Sequence, residues 1–245
     1  MQSELGEFAT RYLNETYNTN IQVKKVNLSF LGSVELKEIE IKDHHKDTLI
    51  YVNRLSTSLL NAKRIVENDV TLGDVKLSGV HFYMKTYRGE DTDNMNIFID
   101  RFDTDTVKTS NTPFRLRTDN IYIDDLTFEL SDYNKDEPLL FSAENAGGNI
   151  QDFYLNGANI NLKARGLYLT ENRGVTITNL TTDFEYTKTQ MLIENTIIET
   201  NNNSKLLANI TFSYNRKDFA NFLDKVKIKA TINKSAVSVR DLNKF

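Results

Sequence analysis

Two histidines and two aspartates stand close together in the sequence, at Asp43, His44, His45 and Asp47. Imidazole nitrogens and carboxylate oxygens are ligands that zinc and related ions take from proteins. Neighbouring side chains point in opposite directions on a strand, and on a tight turn they rarely converge on one centre. The spacing therefore favours a solvated turn, and we predict no metal site at these residues.

Other patterns that could support chemistry are incomplete. Asp91 and Asp93 resemble the start of a calcium-binding loop, but Met95 stands where a further ligand is required. The sequence contains no cysteine, which excludes thiol catalysis, disulfides and thiolate metal sites. It also lacks the G-x-S-x-G, P-loop and G-x-G-x-x-G motifs. We therefore expect no enzymatic activity, no catalytic residue and no cofactor.

The charge balance argues against a nucleic-acid partner. The 245 residues include 30 Lys and Arg against 34 Asp and Glu, a net charge of -4, whereas nucleic-acid binders normally carry a basic excess. Hydrophobic residues make up 39% of the chain, which is typical of a globular protein with a sizeable core. No run approaches the roughly 18 apolar residues of a membrane span.

Apolar residues recur two apart along most of the chain, as in residues 80–84 and 126–130. A period of two indicates a strand with one apolar face. The phase slips by one residue every few positions, as bulges produce, and bulges bend a sheet. We therefore predict a mainly β fold with an elongated, strongly curved antiparallel sheet that forms an apolar, β-taco-like groove. In a sandwich a second sheet covers the same face, so a packed core is the alternative.

Three segments have helical spacing instead. The first is an N-terminal amphipathic helix with a stripe of Leu5, Phe8, Ala9, Tyr12 and Leu13. Two short helices are expected against the apolar face, one carrying Met95, Phe98, Ile99 and Phe102 after an Asp93 or Asn94 cap, the other carrying Phe219, Phe222, Leu223 and Val226.

These patterns divide the chain into three parts. We predict the N-terminal helix in residues 1–20, a first β-groove module with short helices in 21–102, and a second β-groove module in 113–245. The stretch between the modules is polar and weakly patterned, as in a linker or long loop. A single continuous domain over 1–245 is the alternative.

The alternation also selects candidate residues for the lining of the groove, which we call the groove residues. They are Val26, Leu28, Phe30, Leu36, Ile39, Ile41, Leu77, Val80, Phe82, Met84, Leu126, Phe128, Leu130, Leu162, Ile177, Phe184, Ile210 and Phe212.

Three stretches resemble a known family. Residues 12–60, which include the turn sequence IKDHHKDTLIYV, are similar to the start of the Bacteroidetes TamB proteins, the translocation and assembly module. Residues 73–103 resemble the module that follows, where a strand meets a short helix, and residues 232–245 resemble a later strand repeat. The wider relatives are the AsmA-like proteins.

The resemblance implies a periplasmic segment of a protein anchored in the inner membrane by an N-terminal anchor outside this sequence. It implies an apolar groove that carries phospholipid acyl chains between the inner and outer membranes. It further implies an outer-membrane partner of the barrel-insertase type, reached through a C-terminal part also outside this sequence. A chaperone-like role in assembling outer-membrane proteins or adhesins, or a structural β-solenoid without transport, are the alternatives.

Overall fold

The structure is a computed structural model of the whole chain. It describes residues 2–29, 32–60, 67–103, 112–215 and 225–244. In this part of the chain, no helix is both long enough and apolar enough to cross a membrane.

Strands dominate the fold, as the alternation predicts. The helices are α1 (Gln2–Tyr17), α2 (Asn94–Asp100) and α3 (Val239–Leu242). The strands are β1 (Asn20–Leu28), β2 (Ser33–Lys42), β3 (Thr48–Ser58), β4 (Asp69–Thr71), β5 (Val75–Thr86), β6 (Arg115–Asp132), β7 (Leu139–Asn156), β8 (Asn159–Glu171), β9 (Thr176–Tyr186), β10 (Gln190–Thr200), β11 (Lys205–Ser213) and β12 (Lys227–Ile232).

All twelve described strands belong to one long, open sheet. Its order is β1-β2-β3-β5-β6-β7-β8-β9-β10-β11-β12, with β4 pairing beside β6. The sheet runs without interruption across the polar stretch that separates the two predicted modules. Most neighbours along this path are consecutive in the chain, because short turns join antiparallel strands.

The prediction of a wholly antiparallel sheet is wrong, because the sheet is mixed. Strand β5 pairs in parallel with β6, and β4 also pairs in parallel with β6. The physical reason is the connection between β5 and β6, which spans residues 87–114 and includes α2. A connection of this length returns the chain to the end where β5 began, so the next strand runs in the same direction.

Helix α1 ends where the sequence supplies a residue that tolerates left-handed backbone. Asn18 follows the last helical residue and has a φ of 51°, a conformation that commonly terminates helices. The Asn14 side chain then joins the helix to β1, because its Nδ2 donates to the carbonyl of Ile21 and its Oδ1 accepts from the N–H of Ile21.

The predicted helix after Asp93 is confirmed as α2. Asp93 is its N-cap, and the side chain accepts a hydrogen bond from the N–H of Asn96 at 2.9 Å. The second predicted short helix falls mostly on residues outside those that the structure describes.

The predicted slips in alternation coincide with irregular backbone at one level of the sheet. Strands β2, β3, β5 and β6 each have one residue that breaks the alternation. It lies between two cross-strand rows, Lys37–Arg54–Ser78–Asp124 and Ile39–Val52–Val80–Leu126. Register shifts continue at this level through β6 to β11. Several of these residues have positive φ: Glu38, Gly79, Asp125, Gly148, Gly166 and Asn195. We call this line of irregular residues the crease.

Candidate functional site

The register places the described groove residues in cross-strand rows. Residues directly opposite each other on neighbouring strands point to the same side of a sheet. The rows are Val26–Leu36–Leu55–Leu77, Ile39–Val52–Val80–Leu126, Ile41–Ile50–Phe82–Phe128, Met84–Leu130 and Leu162–Phe184–Ile193–Ile210. We call this side of the sheet the apolar face.

Most of the apolar face is only partly buried. Ile39 and Val80 are 8% and 7% exposed, whereas every other described groove residue is of intermediate exposure. Phe30 lies outside the described residues. Since the described strands form one sheet, no second sheet from this part of the chain covers the face.

An apolar pocket of about 390 Å³ opens on the first three strands. Groove residues that line it are Val26, Leu28, Leu36, Ile39 and Ile41. Its other walls come mainly from α1, β4 and the entry to β6, through Thr10, Leu13, Val70, Leu72, Phe114 and Leu116. The alternation of apolar residues could have identified Val70 and Leu72 as pocket-lining residues. The position of α1 beside the pocket depends on tertiary packing, which no local pattern encodes.

The other groove residues lie farther along the face. Leu77 and Leu126 pack against a buried cluster of Ile39, Val52 and Val80. The ring of Phe128 contacts Phe82 edge-on, with centroids 5.1 Å apart, and lies 6.0 Å from the ring of Phe141.

The end of the face that carries β9 to β11 packs against α2. Phe184 and Phe212 contact the buried cluster that includes Ile99 of α2. Phe212 stands opposite Met191 and Ile228 in the register, and Ile177 stands opposite Leu169 and Thr200. The predicted residues therefore share a face but not a single pocket.

Helix α2 and the turn after it bridge two parts of the apolar face. Ile99 is buried with Tyr186 and Tyr214 from the far strands. Phe102 is buried with Tyr17 and Phe114 at the pocket end, and its ring lies 4.8 Å from that of Tyr17. This short segment therefore spans the face between α1 and the distal strands.

A polar network at the turn between β2 and β3 anchors the beginning of α2. Asp43 is buried, and its Oδ2 accepts hydrogen bonds from the Tyr87 hydroxyl at 2.7 Å and the Asn94 amide at 2.9 Å. Burial opposes ionisation of Asp43, but its hydrogen bonds outweigh this effect and lower its pKa. Asn94, fully buried, also accepts from the N–H of Lys85.

The same turn brings together three side chains that could hold a metal ion. His44 Nε2 lies 2.8 Å from Glu90 Oε2, and His45 Nε2 lies 2.6 Å from Glu90 Oε1. The expectation that adjacent histidines would not converge is therefore wrong, because the long Glu90 side chain presents one oxygen to each ring. Desolvation opposes ionisation of Glu90, but the two imidazoles hold its pKa below the usual value.

The fold and the site define a mainly β protein with one open, mixed sheet and an apolar face. No protein-family model and no curated protein matches the chain.

Proposed function

We propose that this protein is the periplasmic segment of an inner-membrane-anchored TamB or AsmA-like protein, and that its apolar face is a groove for phospholipid transport between the two membranes. The single observation that carries the proposal is the apolar face itself, which extends over successive strands in register and stays mostly half-exposed. A face of a folded core would be expected to be largely buried.

The crease supports the proposal, because it can give this face the curvature that a groove requires. Residues in bulges bend the strand that contains them, and here the irregular positions fall at one level on adjacent strands. We infer that the sheet folds along the crease toward its apolar side. Residues from both sides of the crease, such as Leu36 and Ile39, then face the same pocket.

The energetics of lipid transfer explain why no catalytic chemistry is needed. Each methylene removed from water gains about 0.8 kcal/mol, so two chains of about sixteen carbons amount to ~25 kcal/mol as an upper bound. A continuous apolar surface lowers this barrier by replacing water around the chains. The pocket volume of about 390 Å³ falls within the range of about 300–1,000 Å³ for small-molecule sites.

A second candidate, a chaperone-like role for outer-membrane proteins, is favoured by β12. This strand pairs with β11 and has no second neighbour among the described strands. Ile228 and Ile232 on it are 55% and 65% exposed. An exposed strand edge with apolar side chains can pair with an extended client segment.

The test is photo-crosslinking with a matched pair of neighbouring positions. A photoreactive residue replaces Phe128, on the apolar face, or Thr127, which stands opposite His81 on the other face. Both positions are of intermediate exposure, so the comparison isolates the face. After incubation with vesicles of bacterial phospholipid, mass spectrometry should find lipid adducts at position 128 and at least several-fold fewer at position 127.

Equal labelling at the two positions would contradict the groove and indicate a nonspecific adhesive surface. If lipid labels neither position, a photoreactive residue at position 229 on β12 tests the chaperone-like role. Peptide adducts there from an unfolded outer-membrane protein would support that role. A chain with neither product would fit a structural sheet without transport.

A further inference from the structure

The side chains of His44, His45 and Glu90 form a compact donor set beside the Asp43 network. One ligand atom from each residue lies within 4.8 Å of the other two. A tetrahedral zinc site with bonds of about 2.0–2.1 Å separates its ligand atoms by about 3.3 Å. Small side-chain rotations would therefore bring the three donors around one ion.

The backbone that carries the histidines is held in place before any ion binds. Oδ1 of Asp43 accepts hydrogen bonds from the N–H of His45 at 2.9 Å and of Asp47 at 3.0 Å. These bonds fix the turn, and the buried contact between Asp43 and Asn94 fixes the turn to α2. Preorganisation of this kind reduces the ordering cost of binding a ligand.

Packing around the rings restricts their orientation as well. The Tyr87 ring lies 4.0 Å from the ring of His45 and edge-on to that of His44 at 5.6 Å. Its hydroxyl donates to Asp43 and to Asp47. The two imidazoles therefore approach Glu90 from a rigid scaffold that supports their positions, as outer residues do around metal ligands.

The chemistry of the donors selects the class of ion. Two imidazole nitrogens and one carboxylate suit zinc and neighbouring divalent transition metals, whereas calcium and magnesium prefer oxygen ligands alone. The side chains of His44, His45 and Glu90 are 20%, 45% and 30% exposed, so an ion can reach them. Three protein ligands leave a further coordination position for water.

We propose that His44, His45 and Glu90 bind one divalent transition-metal ion of the zinc class. Coordination through Nε2 requires each imidazole to be neutral with its one proton on Nδ1. A doubly protonated ring therefore releases its Nε2 proton to solvent, and a neutral Nε2–H ring changes tautomer. The hydrogen bonds to Glu90 are replaced by bonds to the metal. The ion joins the β2–β3 turn to the segment that leads into α2.

Titration calorimetry of the full chain with Zn²⁺ tests the proposal. We expect one equivalent to bind to the wild type. His45→Ala and Glu90→Gln should each weaken affinity by about 100-fold or more, since loss of an outer residue alone costs about 10–100-fold. The matched control is His81→Ala, which removes the third histidine of the chain but leaves the cluster intact, and it should keep wild-type affinity.

A second measurement separates ligation from folding. Circular dichroism of the metal-free variants should match that of the wild type, because His45 and Glu90 are partly exposed. Zn²⁺ should raise the melting temperature of the wild type and of His81→Ala, but not that of His45→Ala. Failure of the wild type to bind Zn²⁺ would overturn the proposal, as would wild-type affinity in both His45→Ala and Glu90→Gln. Neither result depends on lipid binding.

Discussion

The two ends of the apolar face differ in what lies against them. At the first end, α1 and the turn after α2 bring Tyr17, Phe102 and Phe114 together as buried aromatic rings. At the other end, Ile228 and Ile232 of β12 remain 55% and 65% exposed. Both ends have the same alternation in sequence and the same ladder geometry.

This difference shows that alternation specifies which side of a strand is apolar but not whether that side is covered. The helices decide the outcome at the first end, because α1 contacts β1 and the turn after α2 brings in Phe102. We call the end of the apolar face next to α1 the helix-covered end, and the end formed by β12 the β12 end.

Truncation of a buried ring should cost far more than truncation of an exposed side chain on the same face. Phe102→Ala removes a ring that is 7% exposed and stacked on Tyr17, and should lower the free energy of unfolding by about 3–5 kcal/mol. Ile232→Ala at the β12 end should change it by about 0.5 kcal/mol or less. Urea unfolding followed by circular dichroism measures both. Similar losses for the two variants would mean that the β12 end is covered.

The crease offers a matched pair of glycines, one in each half of the sheet. Gly79 and Gly166 both have a φ of 62°, so alanine at either position adds about 1–2 kcal/mol of backbone strain. At Gly79 the new Cβ would also lie 2.8 Å from Cβ of Asn53, whereas Gly166 faces open space. Gly79→Ala should therefore be the more destabilising by about 1–3 kcal/mol in the same unfolding assay. Equal effects would show that the crease is as loosely packed near β5 as near β8.

The smallest effect concerns the polar anchor of the β12 end. Asp241 in α3 is buried and accepts hydrogen bonds from Asn202, Ser204 and Thr200, which lower its pKa. A carboxyl whose pKa is lower in the folded state stabilises the protein above its ordinary pKa of about 3.9. That contribution is lost as the pH falls through the folded-state value.

Thermal melts between pH 5 and pH 3 should therefore show a smaller fall in melting temperature for Asp241→Asn than for the wild type. Asp119→Asn, a change at an exposed residue of β6, serves as the control and should follow the wild type. If Asp241→Asn kept the wild-type pH dependence, the Asp241 network would not be among the interactions that stabilise the β12 end.

The features that could be predicted from the sequence are those that local patterns encode. A period of two reveals a strand, and the slips in that period indicate bulges. The structure has such irregular backbone at residues with positive φ, among them Gly79 and Asp125. The spacing of Met95, Phe98 and Ile99 behind Asp93 revealed α2 and its cap. Each of these depends on residues within one turn or one strand.

The features that could not be predicted depend on residues far apart in the chain. The parallel ladder pairs Val75 with Ile121, although a helical pattern between two strand runs was a signal for such a crossover. Glu90 reaches His44 across 46 positions, and no spacing rule connects them. The pocket likewise needs α1 beside β1, a contact that only tertiary packing defines.

The order of the strands sets the direction in which the apolar face can lengthen. Neighbouring strands lie about 4.8 Å apart, so the eleven strands on the main path extend for ten intervals, or about 48 Å. Adding one hairpin at the β12 edge would lengthen the apolar face by about 10 Å without altering the length of its strands. The number of strands therefore sets the length of the apolar face, and under the proposed function a longer sheet would cover a greater distance without a change in the width of the proposed groove.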